Sequence, residues 1–117
     1  MVAVIEDDAV VRKGIERLLN VHGFGTETYA SAEEFMARLD LGAAACMVLD
    51  IGLEGISGIE LSRRMIASGR AIPTIFITAQ DNPATLREAA ELGCVACLMK
   101  PFPASRFISA VNEAFVS

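Results

Sequence analysis

Short apolar runs alternate with longer stretches of helical period, five times over, and this alternation decides what the chain can become. Val2–Ile5 and Cys46–Leu49 are apolar throughout, with no polar face to show to water. Pro73–Ile77 is rich in β-branched and aromatic residues. Runs of that kind read as strands buried on both sides, the signature of a parallel sheet with helices over both faces. Between them the period changes. Ala9–Val21 places Val11, Ile15, Leu18 and Leu19 on one helical face, and Gly23 fits the left-handed position that ends such a helix. Phe24–Tyr29 predicts a shorter, weaker strand. Ser31-Ala32-Glu33-Glu34 is a capping box, opening a helix that runs to about Leu39. Ser57-Gly58-Ile59-Glu60 is a second box, and Gly69 closes its helix. Asn82-Pro83 puts a cap before a proline in the first helical turn, and that helix ends at Gly93. Val95–Met99 is the last strand and Pro103–Phe115 the last helix. Five strand–helix units with right-handed crossovers make an α/β, doubly wound, open sheet.

A length of 117 residues implies one domain, 1–117, and no linker, repeat or low-complexity tract divides it. The net charge of −5 argues against a segment whose main task is gripping nucleic-acid phosphates. Every apolar run is too short to cross a membrane. The start, Val2-Ala3-Val4-Ile5-Glu6-Asp7-Asp8, lacks the basic opening of an export signal, so a cytoplasmic location is expected. Three cysteines do not make a disulfide framework.

In doubly wound sheets, ligands sit at the carboxyl ends of the strands. Glu6-Asp7-Asp8 follow the first strand, Asp50 the third, Thr78-Ala79 the fourth and Lys100-Pro101 the fifth. Three carboxylates on one rim repel one another, and a hard divalent cation such as Mg²⁺ resolves that repulsion. Lys100 adds a fixed positive charge and Thr78 a hydroxyl. Carboxylates, Mg²⁺, a lysine and a hydroxyl form a phosphoryl-transfer set, with one carboxylate placed to become an aspartyl phosphate. Taken singly, each residue also has a plain structural reading. Asp8 suits a helix cap, Lys100 a solvated loop charge, and Thr78 a strand end.

With Val4-Ile5-Glu6-Asp7-Asp8, Val48-Leu49-Asp50, Gly55, Gly58, Ile77-Thr78-Ala79 and Lys100-Pro101-Phe102 in this order, the chain resembles the receiver domain of two-component response regulators over essentially its whole length. The resemblance implies a flavodoxin-like (βα)5 fold, strand order 2-1-3-4-5. It implies that Asp50 accepts a phosphoryl group from a sensor histidine kinase. Asp7 would ligate Mg²⁺ directly and Glu6 through water, with Asp50 and the backbone carbonyl of Gly52 completing the protein ligands. Lys100 would pair with Asp50 or a phosphate oxygen, and Thr78 would bond another phosphate oxygen. The Lys100–Pro101 bond would be cis. Such a chain is a phosphoacceptor signalling domain that assists its own phosphorylation, and not an enzyme acting on external substrates. The first-helix face, with Val10, Val11 and Gly14, would dock the kinase. The face of fourth helix, fifth strand and fifth helix, with Arg87, Glu88, Glu91 and Arg106, would carry a homodimer or an effector domain. The segment itself would contact neither nucleic acid nor membrane. The stretches Val11-Arg12-Lys13 and Tyr29–Phe35 lean toward regulators with a C-terminal helix-turn-helix, so the chain stands either alone or as the receiver part of a longer regulator.

Several positions depart from the family. Cys97 replaces the aromatic three residues before the lysine, so switching would rest on movement of the loop and helix after the fourth strand. Glu54 stands where the family has proline, giving a less rigid loop beside the acceptor. Cys94-Val95-Ala96-Cys97 is a C-x-x-C, but it enters a strand and not a helix, and reads as small apolar residues. His22 reads as a helix C-terminal residue. A phosphatase with an aspartate nucleophile needs a second aspartate two residues on, where this chain has Gly52. A mononucleotide binder needs a glycine- or hydroxyl-rich first loop, where this chain has carboxylates. The bland alternative is a silent receiver that serves only as an interaction domain.

Overall fold

The computed structural model describes residues 1–38 and 44–116. Their elements are β1 (Val2–Ile5), α1 (Ala9–Val21), β2 (Thr26–Tyr29), α2 (Ala32–Met36), β3 (Cys46–Asp50), α3 (Gly58–Ala67), β4 (Thr74–Thr78), α4 (Pro83–Glu91), β5 (Ala96–Met99) and α5 (Ala104–Val116). The strands form one sheet in the order β2-β1-β3-β4-β5, every neighbouring pair parallel. Fold class, strand order and the five-unit alternation are those expected. α2 is shorter than expected: it ends at Met36 with Ala37 as its C-cap, short of Leu39, which itself lies outside the described residues.

Strand alternation sorts the core into two layers. Ala3, Ile5, Met47, Leu49 and Phe76 face α2, α3 and α4, where Phe35, Leu61, Met65 and Ala89 close the layer. Val2, Val4, Val48, Ile75 and Ile77 face α1 and α5, against Ile15, Leu19, Phe107 and Val111. Each large side chain fully removed from water in this way contributes roughly 1.5–3 kcal/mol. β2 begins at Thr26 and not at Phe24. Phe24 leaves the sheet because its N–H donates to the Leu19 carbonyl (3.0 Å) and its ring packs on Phe115.

The helix starts follow the caps read from the sequence. Asp8 accepts from the Val10 and Val11 amides, Ser31 from Glu34, Ser57 from Glu60, and Asn82 from Ala84 and Thr85. The two capping boxes do not close in the same way. Glu34 returns to the Ala30 amide, whereas Glu60 turns forward to Arg64, an i, i+4 pair. His22 caps the C-terminus of α1, as expected. The glycines that end α1, α3 and α4 sit at φ of 86°, 73° and 77°.

One glycine controls the site directly. A Cβ on Gly58 would lie 2.3 Å from the backbone oxygen of Asp50, so the start of α3 can rest on the end of β3 only without a side chain. Helix propensity alone favours Ala over Gly by about 1 kcal/mol. The steric contact decides the sign: Gly58→Ala is expected to lose roughly 1–3 kcal/mol, as overpacked sites do. Urea unfolding of both proteins checks this, and a stabilised variant would refute the contact.

Candidate functional site

The strand order reverses between β1 and β3, and the registers bring the ends of four strands to one rim. Ile5 pairs with Leu49, Asp50 with Ile77, and Thr78 with Met99. Glu6 therefore follows β1 beside Asp50, and Lys100 follows β5 one step beyond Thr78. All six residues expected to matter, Glu6, Asp7, Asp50, Gly52, Thr78 and Lys100, line one cavity of about 320 Å³.

Glu6 is fully buried and Asp50 is 4% exposed, while Asp7 is open to solvent. One carboxylate oxygen from each lies within 4.8 Å of the others. At that separation each ionised pair repels by roughly 3 kcal/mol at an effective dielectric of about 20. Lys100 answers part of this. Its Nζ donates to Glu6 Oε1 at 2.7 Å and lies 3.5 Å from Asp50 Oδ1. The lysine's shorter contact is thus with Glu6, although the resemblance pointed first to Asp50. One ammonium against three carboxylates leaves two negative charges, which suits a hard divalent ion.

The other contacts fix the carboxylates' directions. Glu6 Oε2 accepts the Asp8 amide (3.3 Å) and Asp50 Oδ1 accepts the Gly52 amide (3.1 Å). Thr78 points along its own loop. Its hydroxyl accepts from the Gln80 amide at 3.1 Å and donates to the Gln80 carbonyl at 3.3 Å. The Lys100–Pro101 peptide is cis, as the resemblance implied.

Two contacts were invisible in the sequence. Arg12, in the second turn of α1, donates from Nη1 to the Glu6 carbonyl at 2.8 Å. Glu33, in the first turn of α2, accepts the Ile56 amide at 3.3 Å, and its carboxylate occupies the space where Gly55, at φ 75°, would carry a Cβ. No spacing rule links residues 23 apart in different units. Cys94 and Cys97 are free and half-buried, and burial pushes both thiols up, away from the reactive thiolate. Cys46, deeper still, is pushed up to about 11.

The response regulator receiver domain model matches residues 2–112. The chain belongs to the response regulator receiver domain family. It is similar to the transcriptional regulatory protein FixJ of Bradyrhizobium diazoefficiens, 34% identical over 95% of this chain and 54% of that protein. It is similar to the C4-dicarboxylate transport transcriptional regulatory protein DctD of Rhizobium meliloti, 30% identical over 97% of this chain and 25% of that one. Among solved structures it matches the response regulator StyR with a TM-score of 0.90 and 37% identity, covering 98% of this chain and 58% of that one. The receiver thus spans about half the length, or less, of these relatives. Receivers of this kind are signalling domains that work with sensor histidine kinases and often with effector domains. No described helix is long and apolar enough to cross a membrane.

Burial pulls the Lys100 ammonium down, but the Glu6 hydrogen bond and the Asp50 and Glu6 charges outweigh it, and its pKa is raised above the usual 10.5. A raised lysine adds stability that is full below the unfolded value and lost as pH climbs through the folded one. Lys100→Met strands the buried Glu6 carboxylate, and a loss of about 3 kcal/mol is expected near neutral pH. The gap should hold up to about pH 10 and narrow above it, read by urea unfolding of both proteins across that range. A gap that widens with alkali would contradict the ion pair.

Proposed function

We propose that this receiver, as one unit over residues 1–117, takes a phosphoryl group onto Asp50 from the phosphohistidine of a sensor kinase. The observation that carries this reading is the nearly buried Asp50 carboxylate, at a strand end, held between a lysine and two further carboxylates. An Asp50 carboxylate oxygen attacks phosphorus, the P–N bond breaks, and the imidazole leaves with the bonding pair. The fold holds the nucleophile still for this step. The Gly52 amide fixes one carboxylate oxygen and Lys100 lies beside it, so little reorganisation is left to the transfer itself.

Glu6, Asp7 and Asp50, with the backbone carbonyl of Gly52, are the residues that would hold Mg²⁺, an oxygen-only donor set that fits it. Once bound, the ion supplies charge neutralisation at the phosphoryl oxygens. Lys100 adds its ammonium on the same side. Thr78 can offer its hydroxyl to a phosphate oxygen only by giving up the weak 3.3 Å bond to the Gln80 carbonyl. That exchange would pull on the loop that leads into α4 and would carry the phosphorylation state to the α4–β5–α5 face. Cys97 lies on this route with no ring to reorient.

The kinase would approach over α1. A shallow, largely apolar groove runs there between Val11, Gly14, Leu18 and Phe102 and opens beside Lys100. Val10, on the same helix, is 82% exposed. The relatives' names, two of them transcriptional regulatory proteins, support a transcriptional output through a linked effector. The receiver segment makes no nucleic-acid contact of its own in this reading, and a cytoplasmic site of action follows from it. A silent receiver finds no support in the site, where all the carboxylates, the threonine and the lysine are in place.

The test is intact mass after incubation with acetyl phosphate, with and without Mg²⁺, for wild type and Asp50→Asn. Gain of one phosphoryl group that needs both Mg²⁺ and Asp50 is expected. Equal uptake by Asp50→Asn would overturn the assignment. Asp7→Asn should take up phosphate only at raised Mg²⁺.

A further inference from the structure

We propose that Arg12 is a positioning residue for the cation-binding turn, tying α1 to the carboxylates that follow β1. The inference rests on the reading of Glu6, Asp7 and Asp50 as a Mg²⁺ site. Its basis is a single contact, the Arg12 Nη1 donating to the Glu6 backbone carbonyl at 2.8 Å.

The turn after β1 needs such a tie. Glu6 is buried and held by Lys100, but Asp7, one residue on, is exposed. Asp7 reaches the cluster within 4.8 Å only if the backbone between β1 and α1 keeps its course. From one side that course is set by the Glu6 amide, which donates to the Tyr29 carbonyl at 3.0 Å. From the other side Asp8 caps α1 through the Val10 and Val11 amides. The Glu6 carbonyl between them turns toward α1 and meets Arg12. A hydrogen bond from a charged donor to a half-buried carbonyl is among the stronger ones available to a turn. It fixes the peptide plane that leads directly into Asp7.

Arg12 is a cation close to a cation site, and this makes the proposal unusually easy to refute. By charge alone, its removal lowers the positive potential at the carboxylates and should tighten Mg²⁺ binding. As a positioning residue, its removal frees the turn and should weaken Mg²⁺ binding. The two effects have opposite signs in the same measurement.

The experiment is calorimetric titration of Mg²⁺ into the purified metal-free domain, for wild type, Arg12→Met, Arg12→Lys and Asp7→Asn, with the thermal midpoint recorded for each. Arg12→Met is expected to bind Mg²⁺ about three- to tenfold more weakly, a part of what a charged hydrogen bond provides. Arg12→Lys keeps the charge but presents a single compact donor on a shorter arm, and should fall between the two. Acetyl phosphate kinetics should show a raised half-saturating Mg²⁺ with the maximal rate little changed. Binding by Arg12→Met equal to or tighter than wild type overturns the proposal. Should Arg12→Met not fold, Arg12→Lys decides: weaker binding supports positioning, and unchanged binding overturns it. Wild-type Mg²⁺ binding that survives Asp7→Asn intact would instead refute the cation site, whatever the Arg12 variants do.

Discussion

A carboxylate with no exposure to water, Glu6, sits at the end of β1 and is neutralised by a lysine that arrives from the far edge of the sheet. Much of the rim follows from that pair. Burying an ionised carboxylate unpaired is among the most costly arrangements a core can contain. The parallel register lets Lys100 answer it, because β4 and β5 end one residue beyond β3 and two beyond β1 at the same rim. Lys100 reaches Glu6 on one side and faces Asp50 on the other, so the ion pair that stabilises the rim also defines it. A strand slip of one residue would move these side chains to opposite faces and strand the charge.

The loops around the site are tied from several directions, and the ties come from both helical layers. Arg12 and the Asp8 cap hold the turn after β1 from the α1 side. Glu33 holds the loop after β3 from the α2 side, and Gly58 lets α3 rest on the Asp50 carbonyl. This second set matters because Glu54 replaces the proline that stiffens the same loop in the family. A carboxylate reaching over from α2 takes up part of that task. The pocket is thus a place where loops tied to helices on opposite faces of the sheet meet.

The fold was legible in the sequence because its causes are local or periodic. Apolar runs, caps at Asp8, Ser31, Ser57 and Asn82, and glycines past the helix ends each act within a few residues. The lining of the candidate cavity was legible for a related reason: a parallel sheet gathers whatever follows its strands, so reading strand ends picked out Glu6, Asp7, Asp50, Thr78 and Lys100, which line it together. The pairing within the site was not. Lys100 lies closer to Glu6 than to Asp50 by under an ångström, a choice between side chains brought together from far apart, and Thr78 turns to the Gln80 backbone through a local turn that no spacing rule singled out. Arg12 and Glu33 went unread for the same reason. Each looks like a polar residue on a solvated helix face, and only tertiary geometry reveals the backbone group it serves.

On the proposed reading, α4 must respond when the Thr78 hydroxyl changes partner, and its attachments say what resists. Arg63 of α3 pairs with Glu88 of α4 in a solvent-exposed bridge. Exposed pairs contribute under about 1 kcal/mol each, so this one can open without controlling the equilibrium. Ala89, fully buried, offers only a small contact, and Leu86 and Leu92 are half-buried. Beside them Cys97 contributes a small side chain where an aromatic would fill far more volume. α4 therefore buries a single small residue, Ala89, on the sheet's α2–α3–α4 face, and its N-terminus depends on Asn82, four residues after Thr78. A pull on that short loop meets weak resistance at each step. On that reading the small buried contact of α4 would take the place of a swinging ring.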